Sequence, residues 1–151
     1  MGHRARRRAA LLSALVAAAV LTAAALQAAP AMAAGTKITL RGSDFGRMLW
    51  GPNRQAIYIF ENDRPDRSRC YRRCAREWPP VLTKGKPVAG RGVRQRLLGR
   101  TTRRNGTRQV TYAGKPLYYY AHEGPGEVLC HDVFLNGGYW WVVGRNGDRR
   151  P

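Results

Sequence analysis

A nine-residue stretch occurs twice, sixty positions apart. Ile57-Tyr58-Ile59-Phe60-Glu61-Asn62-Asp63-Arg64-Pro65 is echoed by Leu117-Tyr118-Tyr119-Tyr120-Ala121-His122-Glu123-Gly124-Pro125, both reading aliphatic, Tyr, any, aromatic, any, any, acid, any, Pro. A unit used twice in so short a chain constrains the architecture far more than the activity. On a strand, Tyr58 and Phe60 share one face while Ile57 and Ile59 share the opposite one. Apolar groups on both faces mark a central strand, and the second copy repeats the pattern.

Short extended segments punctuated by turn signals surround these copies. Residues 35–43 alternate weakly through Ile38 and Leu40 as an extended lead-in, and 47–50, Gly51-Pro52-Asn53 and 56–60 read as a first hairpin. The period then changes. Ser68 is placed to cap a helix over 69–78 that Pro79-Pro80 stops, with Cys70, Cys74 and Trp78 along one edge at i, i+4 and i+8. Gly85, Pro87, Gly90 and Gly92 describe a link. Strands over 97–103 and 107–113 flank Asn105-Gly106, a pair suited to the positive φ angles of a tight hairpin. Residues 116–121 form another strand, 122–136 a polar loop, 138–143 the last strand and 144–151 a frayed tail. The expected fold is all-β, mainly antiparallel hairpins with one short helix. Two pseudo-repeats, about 44–82 and 97–144, share a single small domain and are joined by the Gly-rich link 83–96.

Residues 1–33 read as a secretory signal peptide. Arg4, Arg6, Arg7 and Arg8 precede an Ala-rich apolar run, and Ala31-Met32-Ala33 is a small-residue cleavage site. A basic leader fits general secretion, and the Arg6-Arg7-Arg8 run leaves twin-arginine export open. No cysteine stands at the cleavage site to carry a lipid, so a secreted or extracytoplasmic protein without lipid anchor or later membrane span is expected. Of 27 Lys+Arg, four lie in the leader, while all nine Asp+Glu follow it; the domain over 34–151 keeps 27 − 4 − 9 = +14. Such a charge suits anionic envelope polymers or lipid head groups, although arginines scattered along the sequence also serve simply as a solubilising surface.

An ordered set of motifs runs along the chain: Gly46-Arg47-Met48-Leu49, Tyr58-x-Phe60-x-x-Asp63, Cys70-x-x-x-Cys74, Trp78-Pro79-Pro80, the link around 88–92, Gln109-Val110-Thr111-Tyr112, Pro116-Leu117-Tyr118-x-Tyr120 and Gly138-x-Trp140. In this order they resemble the bacterial secreted-repeat or predicted-lipoprotein family defined by a Tyr-x-aromatic-x-x-Asp motif. The chain departs from that pattern in lacking the lipid-attachment cysteine, in placing Glu123 where the second Asp stands, and in adding Cys130. The resemblance implies an exported protein of the cell envelope with no assigned chemistry, and a disulfide between Cys70 and Cys74. Geometry adds a caution, because cysteines four apart on an ideal helix need local distortion to bridge; either the helix bends or Cys130 takes one partner.

Two sets of residues carry candidate chemistry. The first is the motif itself: Tyr58, Phe60, Asp63, Tyr118, Tyr120 and Glu123. Aromatic pairs beside a carboxylate suit a cation or a sugar, but an element that occurs twice fits a scaffold rule better than one catalytic centre, with the aromatics in the core and the acids capping the following turns. The second set is a metal or redox alternative in which Cys130, His131 and His122 join the other cysteines around copper or zinc. Against it, the x-x-x thiol spacing is not that of zinc ribbons, and adjacent Cys130 and His131 face opposite ways on a strand. No nucleophile elbow, HExxH helix, P-loop or dinucleotide fingerprint is present, and no nucleic-acid module signature accompanies the charge. The sequence thus points to a non-catalytic exported binding or structural module without a cofactor, and no specific nucleic-acid partner is expected.

Overall fold

The structure, a computed structural model, describes residues 33–151; the expected signal peptide lies outside the described residues except for its last position. Nine strands and one helix follow in the order β1 (Lys37–Arg41), β2 (Met48–Trp50), β3 (Tyr58–Phe60), α1 (Arg73–Glu77), β4 (Val88–Ala89), β5 (Leu98–Thr102), β6 (Arg108–Tyr112), β7 (Lys115–Pro116), β8 (Val133–Leu135) and β9 (Gly138–Val142). They form three small sheets, β2-β1-β4, β3-β9-β8 and β5-β6-β7, all antiparallel except for the β1–β4 pair. This is the expected all-β fold with one short helix and two pseudo-repeats.

The repeats are interlocked rather than side by side. Tyr58 and Tyr118 face each other as an antiparallel bridge, with both N–H···O bonds at 2.9 Å. Each motif strand then takes its second neighbour from the end of the other repeat. Strand β3 pairs with β9, Tyr58 opposite Val142 and Phe60 opposite Trp140. The second motif, an extended segment just past β7, meets the segment after Trp78 through an isolated bridge, Pro80 opposite Tyr118, and Tyr119 N–H donates to Pro79 O at 2.8 Å. The symmetry extends outward: Glu61 N–H donates to Tyr139 O and Ala121 N–H to Glu77 O, both at 2.9 Å. Leu49 N–H donates to Val143 O and Val110 N–H to Val81 O, at 2.8 and 2.7 Å. Removing either repeat therefore strips hydrogen-bond partners from a buried strand of the other, which is costly for backbone groups out of reach of water.

Alternation along the paired motif strands divides the interior into two cores. Ile57, Ile59 and Leu117 join an aliphatic cluster with Ile38, Leu40, Leu49, Val81 and Val110. Tyr58, Phe60 and Tyr118 join an aromatic cluster with Trp78, Trp140, Trp50 and Met48. At its centre Trp78 and Trp140 are fully buried and stacked, ring centroids 3.8 Å apart and planes at 3°. Phe60 stacks on Trp140 at 4.3 Å, and Tyr118 meets it edge-on at 5.2 Å. Buried aromatic groups of this size supply much of the apolar area that a small domain must remove from water.

Five local expectations are corrected. The strand expected over 116–121 shrinks to β7 (Lys115–Pro116), and beyond it Tyr118 pairs only through isolated bridges. The helix spans only Arg73–Glu77, because Arg72 takes φ 54° and ψ −120° and breaks the turn before it; Ser68 makes no cap there and lies buried in the interior. Strand β2 pairs chiefly with the lead-in strand β1, Leu40 opposite Leu49, and meets 56–60 only through the Trp50–Ala56 bridge and the Ile57 N–H to Leu49 O bond. The polar loop contains β8, joined to β9 by Asn136 and Gly137 with φ 54° and 84°. The tail folds back through a Val143–Arg149 bridge, and Arg150 Nε donates to Phe45 O at 3.1 Å.

Candidate functional site

The motif acids are partnered across the repeats. Tyr118 of the second copy donates its hydroxyl to Oδ2 of Asp63 in the first at 2.6 Å. Tyr58 of the first donates to Oε1 of Glu123 in the second. Each acid also receives a backbone N–H from the residue six positions on: Arg69 N–H to Asp63 Oδ1 at 2.7 Å, and Leu129 N–H to Glu123 Oε1 at 2.5 Å. Thus each carboxylate closes its own loop and holds the other repeat's tyrosine. The arrangement forces the spacing Tyr-x-x-x-x-acid, since a tyrosine aimed into the core reaches the partner's acid only when that acid sits just past the strand end. Phe60 and Tyr120 share the inner face, Tyr120 against Trp78 with centroids 4.7 Å apart.

Burial governs the protonation of this exchange. It raises Asp63 to about 6, against the opposing hydrogen bonds from Tyr118 and Arg69 and the positive charge of Arg103 and Arg69. Glu123 is also raised by burial. Both tyrosine hydroxyls are raised, so they remain donors throughout the physiological range.

The two halves differ around their acids. Beside Asp63, Tyr118 Oη lies 2.7 Å from Ser68 Oγ, which accepts from the buried Arg103 guanidinium at 3.0 Å. That guanidinium also donates to Gln109 Oε1 at 2.5 Å and Cys70 O at 2.6 Å. The position corresponding to Ser68 in the other half is Val128, so Glu123 has no matching polar chain.

Cys70 and Cys74 form a disulfide with Cα atoms 5.2 Å apart. The break at Arg72 brings them closer than a regular helix, which would leave them near the upper end of the usual range. Cys130 is free and buried, and burial raises its thiol above the ordinary value. It stands sixty residues after Cys70, and Phe134 occupies the position sixty after Cys74.

The copper or zinc set is not assembled. Among the described residues no group of three or more His, Cys, Asp or Glu side chains is placed to hold a metal. Cys70 and Cys74 are bonded to each other, and His131 Nδ1 accepts the Val142 N–H at 3.3 Å with its ring against Phe45. His122 lies against Tyr120 with ring centroids 5.2 Å apart.

Two clefts border the loop that follows Asp63. One, of about 430 Å³, is lined by Arg67, Ser68, Arg69, Tyr71, Thr102, Arg103 and Arg104. Arg103 and Arg104 place their guanidinium carbons 4.4 and 4.6 Å from the Tyr71 ring centroid. Arg67, Arg69 and Arg104 are exposed, and no acidic residue lines this cleft. The other, of about 570 Å³, borders the Ile59 and Trp141 face of β3 and β9, at the edge of the aliphatic core. Sequence reasoning missed both. The arginines look dispersed along the chain because the cleft draws on two distant segments, and its local traces are the Arg67-x-Arg69 and Arg103-Arg104 pairs.

A family model described as a secreted repeat of unknown function matches residues 40–82 and 99–143. Comparison with curated proteins and with solved structures found no match.

Proposed function

The chain belongs to that family of secreted repeats, and on this premise we propose that it is a non-catalytic exported module that binds anionic envelope polymer through its arginine cleft. The observation that carries the reading is the convergence of Arg67, Arg69, Arg103 and Arg104 on one cleft that no carboxylate lines. Guanidinium groups bond phosphate and carboxylate in pairs and stay charged at every relevant pH. Arg103 is held by three fixed acceptors and so presents a preset charge, while the exposed Arg67, Arg69 and Arg104 supply groups free to close on a ligand. The motif supports a scaffold role, because its tyrosines and acids spend their polar atoms on one another inside the domain.

Binding to soluble polyphosphate over a salt series tests the proposal. Affinity is expected to fall linearly with salt on logarithmic axes, and Arg69→Gln with Arg104→Gln to weaken binding and flatten the slope by about two. Binding that ignores both salt and these substitutions contradicts it. A parallel arm with anionic lipid vesicles separates polymer from head group: the proposal expects polymer to be the tighter ligand.

A further inference from the structure

We propose that the cleft over Ile59 and Trp141 is a second binding site, for an uncharged saccharide. Its floor is apolar, the half-buried Trp141 flanked by the buried Ile59 and Pro116, and its rim carries Glu61, Arg64, Asp148 and Arg149. The argument starts from charge. The whole chain has 27 cationic groups against nine acidic ones, yet this cleft is lined by three of each: Arg64, Lys115 and Arg149 with Glu61, Asp63 and Asp148. Local balance in a strongly basic molecule disfavours a polyanion here and leaves donors and acceptors side by side.

These rim charges are not consumed by each other. Among the described residues the one salt bridge joins Arg73 to Glu77, away from this cleft. Asp63 is held inside by Tyr118 and Arg69, and Lys115 Nζ donates to Gly147 O at 2.8 Å. Glu61, Arg64, Asp148 and Arg149 are exposed. Arg149 lies over the Trp141 ring, 4.7 Å from its centroid, so the indole fixes one donor at the edge of the floor.

The cleft is also preformed. Asp66 N–H donates to Gly114 O at 2.7 Å, tying one wall to the turn after β6. The Val143–Arg149 bridge and the Gly144 N–H to Asp148 O bond at 2.8 Å tie the opposite wall to β9. A rigid apolar floor with a few fixed polar groups is what a small-ligand site requires. The ligand class that matches both parts is a pyranose: its C–H face packs on the part of the half-buried Trp141 that Arg149 leaves open, and its hydroxyls bond to Glu61, Asp148, Arg64 and Arg149. On the same face of the sheet the exposed Tyr139 and Phe134 extend the platform beyond Trp141, their ring centroids 5.2 Å apart, giving room for more than one sugar unit.

The test is titration of the folded protein with tetrasaccharides of β-1,4-linked glucose, β-1,4-linked N-acetylglucosamine and α-1,4-linked galacturonate, followed by tryptophan fluorescence and calorimetry. Saturable binding to at least one neutral tetrasaccharide is expected, changing less than about twofold between 50 and 500 mM salt because no net charge is neutralised. Arg149→Gln and Asp148→Asn are each expected to weaken it by about tenfold, the loss of one hydrogen bond to a charged group, while Arg69→Gln in the arginine cleft leaves it unchanged. No saturable binding to either neutral sugar, preference for the galacturonate, or indifference to both rim substitutions overturns the assignment. Polyphosphate binding is unaffected by any of these outcomes, so the two sites stand or fall separately.

Discussion

Asp63→Asn probes the buried end of the exchange through its pH dependence. Burial lifts the Asp63 carboxyl to about 6 from an ordinary value near 3.8. A carboxyl whose pKa is higher in the folded than in the unfolded chain contributes stability that is fully present below the unfolded value and lost as pH rises through the folded one. The gap between those two values corresponds to roughly 3 kcal/mol, at about 1.4 kcal/mol per pH unit. Unfolding free energy should therefore decline between pH 4 and pH 7, and Glu123, shifted in the same direction, steepens the decline. Asparagine keeps an acceptor for one of the two donors at Asp63, Tyr118 Oη or Arg69 N–H, and cannot titrate. Urea denaturation of both proteins at half-unit pH steps is the assay. The variant's curve should be flatter by roughly 2.4 kcal/mol between pH 4 and pH 7, most of the full gap, because at pH 4 the unfolded carboxyl is already partly ionised. Parallel curves for the two proteins, or wild-type stability that climbs toward pH 7, would refute the reasoning.

Two further outcomes follow from the cores. The Cys70–Cys74 disulfide closes a short loop, separation 4, for which chain entropy gives about 2 kcal/mol; Cys74→Ser should lower stability by that amount, and unfolded, unreduced wild type should titrate one thiol, Cys130, where a result of three excludes the bridge. Trp78 is fully buried against Trp140, so Trp78→Ala should cost about 3–5 kcal/mol and abolish the near-ultraviolet dichroism of the stacked indoles, a signal that Trp140→Ala should abolish equally.

Some of this was legible in the residues and some was not. The two-sided apolar pattern of Ile57 to Phe60 and its echo at Leu117 to Tyr120 place both motif strands at the centre, because alternation is a local property that side-chain direction converts into burial. The exchange of Tyr58 with Glu123 and of Tyr118 with Asp63 was not legible, since the partners are 65 and 55 residues apart and only the crossing of the repeats brings them together. The Asn-Gly signal that marks the Asn105-Gly106 hairpin also stands at Asn136-Gly137 and Asn146-Gly147. There it accompanies β8 and the returning tail, which the surrounding polar residues disguise as loop and fray. The helix came out short because a positive φ at Arg72 cannot be read from propensity; the disulfide and the buried contacts of Ser68 override it. The candidate clefts were the least legible part. Each joins segments from both repeats, whereas the motif that dominates the sequence turns its polar groups inward.

The central claim is that the repeated motif is a crossed fastening between the two halves, and a set of double-mutant cycles measures it directly. Tyr→Phe at 58 and 118 would be combined with Asp63→Asn and Glu123→Gln, and coupling read from denaturation free energies. The crossed pairs Tyr118 with Asp63 and Tyr58 with Glu123 should couple by about 1.5–3 kcal/mol, as hydrogen bonds to charged or buried acids do. The pairs within one copy, Tyr58 with Asp63 and Tyr118 with Glu123, share no hydrogen bond and should couple by less than about 0.5 kcal/mol. Coupling confined to the pairs within each copy, or absent from all four, would contradict the account.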